Sequence, residues 1–491
     1  MAITAETWTS VNEMTFSNLT AHFINNDWEL IHMPIGCFGH WGAPSEDEFD
    51  DFRRAVEKCG LKSEAIPAVI VNEGSKMTAC RGSAVEWELI GCIHQVVKNI
   101  TSVVFDDEYV KSSMQAARQM AAYITETNQI EEELDRAQVA LDPTCVPLKV
   151  IYEDYFITWW SAYAMLERLM VLKPAIEALV ADMILPEYLN EYDWAIIRDV
   201  TTIIRPFKTL QLLLEGQNYV SLSFVPILVS KMRKGLMHSF SDENVARHYK
   251  ELIGKMIDDL KETFGSGEDG TVFQEHKSPG PTNLRKGIPR KAFIAMALDP
   301  RTKTLPTLSA DDKALVWNAL HDDLCLEITS SRNDGDSSSS KMEDTVHLNL
   351  SSDKGILEDL FDHNDDDEGS SGDIPVHVIA QNELTLYKHF KSLPMLDNEG
   401  LLSDPLVWWK MNDRALPFLA KLARKTLNVP AAAVPSKNVF STAGINSYLR
   451  RSMLHSDITE ATVFLHGCWN TSELQPKGDG DGERMKRARI N

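Results

Sequence analysis

Hydrophobic positions change their spacing along this chain, and the changes predict its elements. Residues 15–36, TFSNLTAHFINNDWELIHMPIG, hold two β-prone runs around the polar NND, the pattern of a hairpin. Between Ser45 and Cys59 the period lengthens. Phe49, Phe52, Val56 and Cys59 recur at three- and four-residue intervals, which predicts an amphipathic helix. The run AIPAVIV, ending at Val71, is short and β-branched and is followed by the polar turn NEGSK. It reads as a buried strand whose end opens to solvent. EWELIGCIHQVVKNI fits a strand or a helix, and periodicity does not choose between them.

From about Phe105 to His321 helical spacing dominates. SAYAMLERLMVLKPAIEALVADM and DWAIIRDVTTIIRPFKTLQLLLEG are long and amphipathic, and the second ends at Gly216 as a helix does. ENVARHYKELIGKMIDDLKETFG is a third, stopping at Gly265. Residues 329–375 then turn to Ser, Asp and Gly, too little apolar surface to offset the entropy of ordering, so a disordered acidic loop is expected there. Its centre, GILEDLF, reads as a transient helical turn. Helical pattern returns at NELTLYKHF and continues through DPLVWWKMNDRALPFLAKLARKTLNV, before a polar tail from Thr471. No repeat of 20–50 residues stands out.

Composition narrows the function classes. The chain has 491 residues, 43% hydrophobic, enough for several packed domains. Its formal charge of −23 makes it a poor sequence-independent binder of nucleic acid, which depends on neutralising phosphates. No stretch approaches the roughly 20 consecutive apolar residues of a membrane helix, and MAITAETWTS does not read as a secretory signal. The seven cysteines (Cys37, Cys59, Cys80, Cys92, Cys145, Cys325 and Cys468) form no C-x-x-C pair, which argues for reduced thiols and against a cysteine-built zinc finger.

The C-terminal third carries a resemblance. DPLVWWKMNDRALPFLAKLARKTLNVPAAAVPSKNVFSTAGINSYLRRSMLHSDITEATVFLHGCWN is similar to the C-terminal dimerisation region of hAT-superfamily transposases. The matching positions are Asp404, Pro405, Leu406, Trp408, Trp409, Pro417, Leu419, Ala423, Arg424, Val429, Pro430, Ser436, Phe440, Ser441, Ala443, Gly444, Arg451 and Leu454. Upstream, MALDPRTK resembles the family's L-D-P-R-x-K through Leu298, Asp299, Pro300, Arg301 and Lys303, and TWWSAYAMLERL resembles its T-R-W motif with Trp159 in the arginine position. NLTAHFINNDWEL resembles its core hairpin.

The resemblance implies an α/β, RNase H-like core split by a large all-helical insertion, with a helical dimerisation region at the C-terminus. It places the first part of the core at 1–98, the insertion at 99–328, the acidic loop at 329–375, the dimerisation region that completes the core at 376–470, and a polar, basic tail at 471–491. The BED-type zinc finger that usually precedes such a core is expected to be missing, and with it most affinity for DNA.

Relatives of this kind cut DNA with two divalent cations about 4 Å apart, held by three carboxylates. By resemblance, the first acid position is Glu6 in TAETWTS, the second Asn72 in VNEGSKM, and the third Lys437 in PSKNVFSTAG, followed by Asn438. An amide oxygen loses a full charge as a ligand, and an ammonium beside two cations repels them and donates no oxygen. The resemblance therefore implies a degenerate site, no enzyme activity, no cofactor and no bound metal. The competing reading is a metal-dependent transposase or nuclease that uses Glu6, Glu73 and a third acid not identified. SUMO ligase activity, as in some relatives, is a further alternative.

Several smaller features have plain readings. His94 matches the histidine of a C-x-x-H motif whose cysteine position is Gly91, and reads as a packed histidine. Trp160 matches a tryptophan that in relatives stacks on an extruded base, and packing is the expectation here. Asp365, Asp366, Asp367 and Glu368 lack the alternation of a calcium loop. Arg484, Lys486, Arg487 and Arg489 form a compact basic cluster that suits nuclear import. Leu406, Trp409, Leu416, Leu419, Phe440, Val463, Phe464 and Leu465 supply the apolar surface for dimerisation, core completion, or both. The sequence reads as a nuclear, inactive, transposase-derived protein that acts as a homodimer or with other nuclear proteins, away from any membrane.

Overall fold

The computed structural model describes residues 1–9, 14–41, 56–57, 60, 66, 68–71, 88–152, 159–215, 219–265, 287–335 and 374–433. Five strands form one mixed sheet: β1 (Ala2–Thr9), β2 (Met14–Ile24), β3 (Leu30–Trp41), β4 (Ala68–Val71) and β5 (Glu88–Gly91), in the order β3-β2-β1-β4-β5. β1, β2 and β3 run antiparallel, while β4 joins β1 and β5 joins β4 in parallel. The expected hairpin is β2–β3, turning where the Asn25 amide donates to the Glu29 carbonyl at 3.0 Å. In that turn Trp28 takes a φ of 63°, rare for a bulky residue and sustained only where packing holds it. All four residues of β4 are buried, as a strand covered on both faces should be.

The stretch that fits either a strand or a helix is both. ELIG forms β5, and at Ile93 the spacing lengthens to give α1 (Ile93–Phe105), which buries Ile93, Val96, Val97, Ile100 and Val104. A helical body follows. It comprises α2 (Glu108–Glu126), α3 (Asn128–Leu141), α4 (Trp159–Ala181), α5 (Glu191–Glu215), a 3₁₀ turn (Leu222–Phe224), α6 (Val225–Ser241), α7 (Arg247–Phe264), α8 (Arg290–Leu298) and α9 (Ala310–Gly335). Gly265 ends α7 with a φ of 93°, a conformation glycine adopts freely. Asp107 caps α2, accepting from the amides of Tyr109 and Val110.

α9 continues past residue 328 to Gly335, so the first part of the stretch expected to be an unstructured loop is helical; the rest of that stretch, up to residue 373, lies outside the described residues. The chain returns in α10 (Val376–His389), α11 (Pro405–Asn412) and α12 (Pro417–Leu427). These helices pack on α8, α9 and β2, so sheet, helical body and C-terminal helices share one core that includes Ala2, Ile70, Ile90, Phe207, Phe293 and Trp409. The helix expected from Ser45 to Cys59 lies largely outside the described residues, with Val56 and Glu57 helical. No described helix is long and apolar enough to cross a membrane.

Candidate functional site

Segments distant in sequence meet at one end of the sheet. The parallel register of β1 and β4 sets Ala5 beside Val71. The Val71 carbonyl accepts from the Cys92 amide at 2.9 Å, at the β5–α1 junction. The Cys92 thiol in turn accepts from the Ala433 amide at 3.4 Å, and the Ala431 carbonyl accepts from the Ile93 amide at 3.2 Å. Ala431 is held from its other side, its amide donating to the Ser221 hydroxyl at 3.1 Å.

The residues that follow this row are the ones singled out for chemistry. Glu6 follows Ala5 on β1, opposite Asn18 of β2. Asn72 follows Val71, and Lys437 comes four residues after Ala433, a stretch that spans at most about 14 Å. Asn72, Glu73 and Lys437 themselves lie outside the described residues, as do Phe440, Val463, Phe464, Leu465 and the basic cluster Arg484, Lys486, Arg487 and Arg489. The acidic run at 365–368 also lies outside them. Among the described residues, no three or more His, Cys, Asp or Glu side chains group so as to hold a metal ion.

The sheet face beside this end is polar and buried. Asn18, Thr20 and His22 alternate along β2, and all three are buried. The His22 Nε2 lies 2.9 Å from the Thr4 hydroxyl, and its Nδ1 lies 2.6 Å from the Nδ1 of His32 on β3. Burial, and secondarily His32, holds the His22 pKa well below the ordinary histidine range, so the ring is neutral. The Asn18 amide has no hydrogen-bond partner among the described residues, a cost the surrounding packing has to absorb.

The residues resembling L-D-P-R-x-K form a buried electrostatic staple, a role their sequence spacing does not reveal. Arg301 and Asp299 are fully shielded and pair at 2.6 Å. The guanidinium also donates to the carbonyls of Ser403 and Val220, both at 3.0 Å, and lies 4.5 Å from the Phe224 ring centre. Asp299 accepts from the Ser223 hydroxyl at 2.6 Å. Lys303 donates to the carbonyls of Tyr387 and Phe390, and burial lowers its pKa to about 8. Three short stretches, at 220–224, 299–303 and 387–403, are thus tied through one cluster of charges.

Leu406, Trp409, Leu416 and Leu419 face inward and are almost fully buried within this one chain, so they complete its core. Trp409 stacks on Tyr387 on one side and on Trp28 of the β2–β3 turn on the other, at centroid distances of 5.5 and 5.9 Å. Its indole N–H donates to the Leu298 carbonyl at 3.1 Å. The Arg424 guanidinium covers the Trp28 ring at 4.2 Å, and the Trp28 N–H donates to Asp413 at 3.0 Å. Glu383 accepts from the Phe418 and Leu419 amides at the start of α12, placing an anion at that helix N-terminus. Trp160 stacks on Tyr163 at 5.7 Å and packs edge-on against the buried Trp159. His94 is half-buried in the first turn of α1.

Residues 383–467 match the hAT family C-terminal dimerisation region. Across most of its length the chain is also similar to two curated proteins. One is a zinc finger BED domain-containing protein 4 from Homo sapiens, 23% identical over 77% of this chain and 29% of that protein. The other is a putative AC transposase from Zea mays, 22% identical over 94% of this chain and 55% of that protein. The chain thus spans about a third and about half of their lengths. It carries an hAT family C-terminal dimerisation region at 383–467 and is similar over most of its length to a BED zinc-finger protein and an hAT-type transposase.

Proposed function

We propose that this chain is a catalytically inactive, domesticated relative of hAT transposases that works in the nucleus by dimerisation and protein contact, with a role in transcriptional regulation. The observation that carries this reading is the convergence at the sheet end. The row Ala5, Val71, Cys92 and Ala433 lies at one end of the sheet, which supports a shared location for the chain that continues from it, and the residues the resemblance assigns to the three acid positions are Glu6, Asn72 and Lys437. One carboxylate, one neutral amide and one ammonium do not fit two divalent cations, whose charge needs several anionic oxygens to offset it. A mixed sheet followed by a long helical body, with the C-terminal helices returning to the sheet, supports an RNase H-like core with a helical insertion. The region matched at 383–467 supports a homodimer. DNA transposition in eukaryotes is nuclear work, so kinship with the human and maize proteins supports nuclear residence.

Incubating the purified chain with linear and supercoiled DNA in Mg²⁺ or Mn²⁺ tests the reading. No cleavage or strand transfer is expected; cutting that disappears in Glu6→Ala would overturn it. Sedimentation at micromolar concentration should show a dimer, and a strictly monomeric species would remove the dimerisation role.

A further inference from the structure

α11 is apolar on both sides, although only one side meets the core. Inward, Leu406, Trp408 and Trp409 are buried. Outward, Val407 is 46% and Met411 72% exposed, and Lys410 stands between them. Arg414 extends the row from the turn after the helix, and the spacing 407, 410, 411, 414 sets the four side by side. Met395 and Leu396, 39% and 41% exposed, lie in the segment paired with residues 402–403, just before α11. They are held there by the Ser403 amide, which donates to the Met395 carbonyl at 3.0 Å, and by the bridge between Leu396 and Leu402.

We propose that this outer face of α11 docks an acidic amphipathic helix from a partner protein. The inference goes beyond the dimerisation reading and does not depend on it. Lys410 and Arg414 make no ion pair among the described residues, whereas Arg424 and Lys425 on α12 are committed to Asp413 and Glu327. Of the acids in the turn before α11, Asp404 accepts from the Leu406 amide, and Asp397 from those of Glu399 and Leu401. On a chain of net charge −23, a basic, apolar stripe selects an acidic partner by charge. Apolar anchors at helical spacing between charges are the mirror of such a helix, and methionines repack readily around it. A second copy fits poorly, because a two-fold axis through the stripe would bring Lys410 and Arg414 against their own counterparts.

Fluorescence anisotropy tests this with a labelled helical peptide bearing leucines on one face and glutamates at its flanks, set against a lysine-flanked version. The full chain should bind the glutamate peptide and not the lysine peptide. Met411→Ser should weaken binding by about tenfold. The double variant Lys410→Glu/Arg414→Glu should lose the glutamate peptide and gain the lysine one, with unchanged thermal unfolding and sedimentation. The proposal is overturned by no binding of the glutamate peptide, by equal binding of both peptides, or by binding that survives the substitutions. It is equally overturned if the double variant loses self-association, since the face would then join two copies.

Discussion

Asp299 and Arg301 sit where neither charge reaches water, and such a pair gains little over apolar residues of similar volume. Removing one partner is different, because the other charge stays buried. Asp299→Ala should strand the Arg301 guanidinium and lower unfolding stability by about 3–5 kcal/mol, read from urea midpoints. The double variant Asp299→Leu/Arg301→Met should lose much less, and a double as damaging as the single would show that the ion pair is not what matters. His22 gives a pH signature of opposite origin. Its pKa is depressed in the fold, so below the ordinary histidine pKa the unfolded chain binds a proton that the folded chain refuses. Its contribution is fully present above that value and shrinks as pH falls, by at most about 1.4 kcal/mol per pH unit. The urea midpoint should therefore drop between pH 7.5 and pH 5.5, an interval of about two units. His22→Gln should flatten that slope, and an unchanged slope would assign it to other groups.

At the scale of elements, the spacing of apolar residues carried most of the information. The hairpin, the buried strand at Val71 and the long helices α4, α5 and α7 follow from period and end signals alone. Two elements were less legible. Residues 86–100 change period in mid-run, which reads as ambiguity until Cys92 is seen to divide strand from helix. α9 extends into a Ser- and Asp-rich stretch because tertiary contacts hold its last turns. Glu327 pairs with Lys425 at 2.6 Å, Ser331 accepts from Lys421 at 3.3 Å, and Arg332 donates to the Ile374 carbonyl at 2.8 Å. The close approach of α5 and α6 has no sequence signal. A β-carbon on Gly235 would lie 2.4 Å from Cγ of Pro206, a ring that cannot rotate away. Gly235→Ala should force the helices apart and cost about 1–3 kcal/mol in thermal or urea unfolding, despite alanine's better helix propensity. A neutral or stabilising result would mean that the two helices slide freely.

For the molecule as a whole, the candidate site was legible only in part. Motif resemblance points to Glu6, Asn72 and Lys437, whereas the contacts that join Val71, Cys92 and Ala433, such as the Cys92–Ala433 hydrogen bond across 341 residues, are not encoded by local pattern. The same holds for the division of labour in the C-terminal helices. Apolar spacing marked Leu406, Trp409, Leu416 and Leu419, yet could not say whether a second copy or the chain's own hairpin covers them. Burial answers for these four, and Trp28, 4% exposed, covers Trp409 from the N-terminal side. The C-terminal helices are thus an integral layer of the fold, and separating them should be costly. Without residues 376–491, Trp28 loses its stacking partner and the Asp413 and Arg424 contacts, and α8 loses α12. A chain ending at residue 375 should accordingly lack a cooperative unfolding transition and the near-ultraviolet circular dichroism of packed tryptophans. Supplying residues 376–491 as a separate chain during expression should restore both. If the shortened chain instead unfolds cooperatively at the full-length midpoint, the C-terminal helices are an appendage, and the contacts among Trp28, Tyr387 and Trp409 contribute nothing to holding the sheet and helical body together.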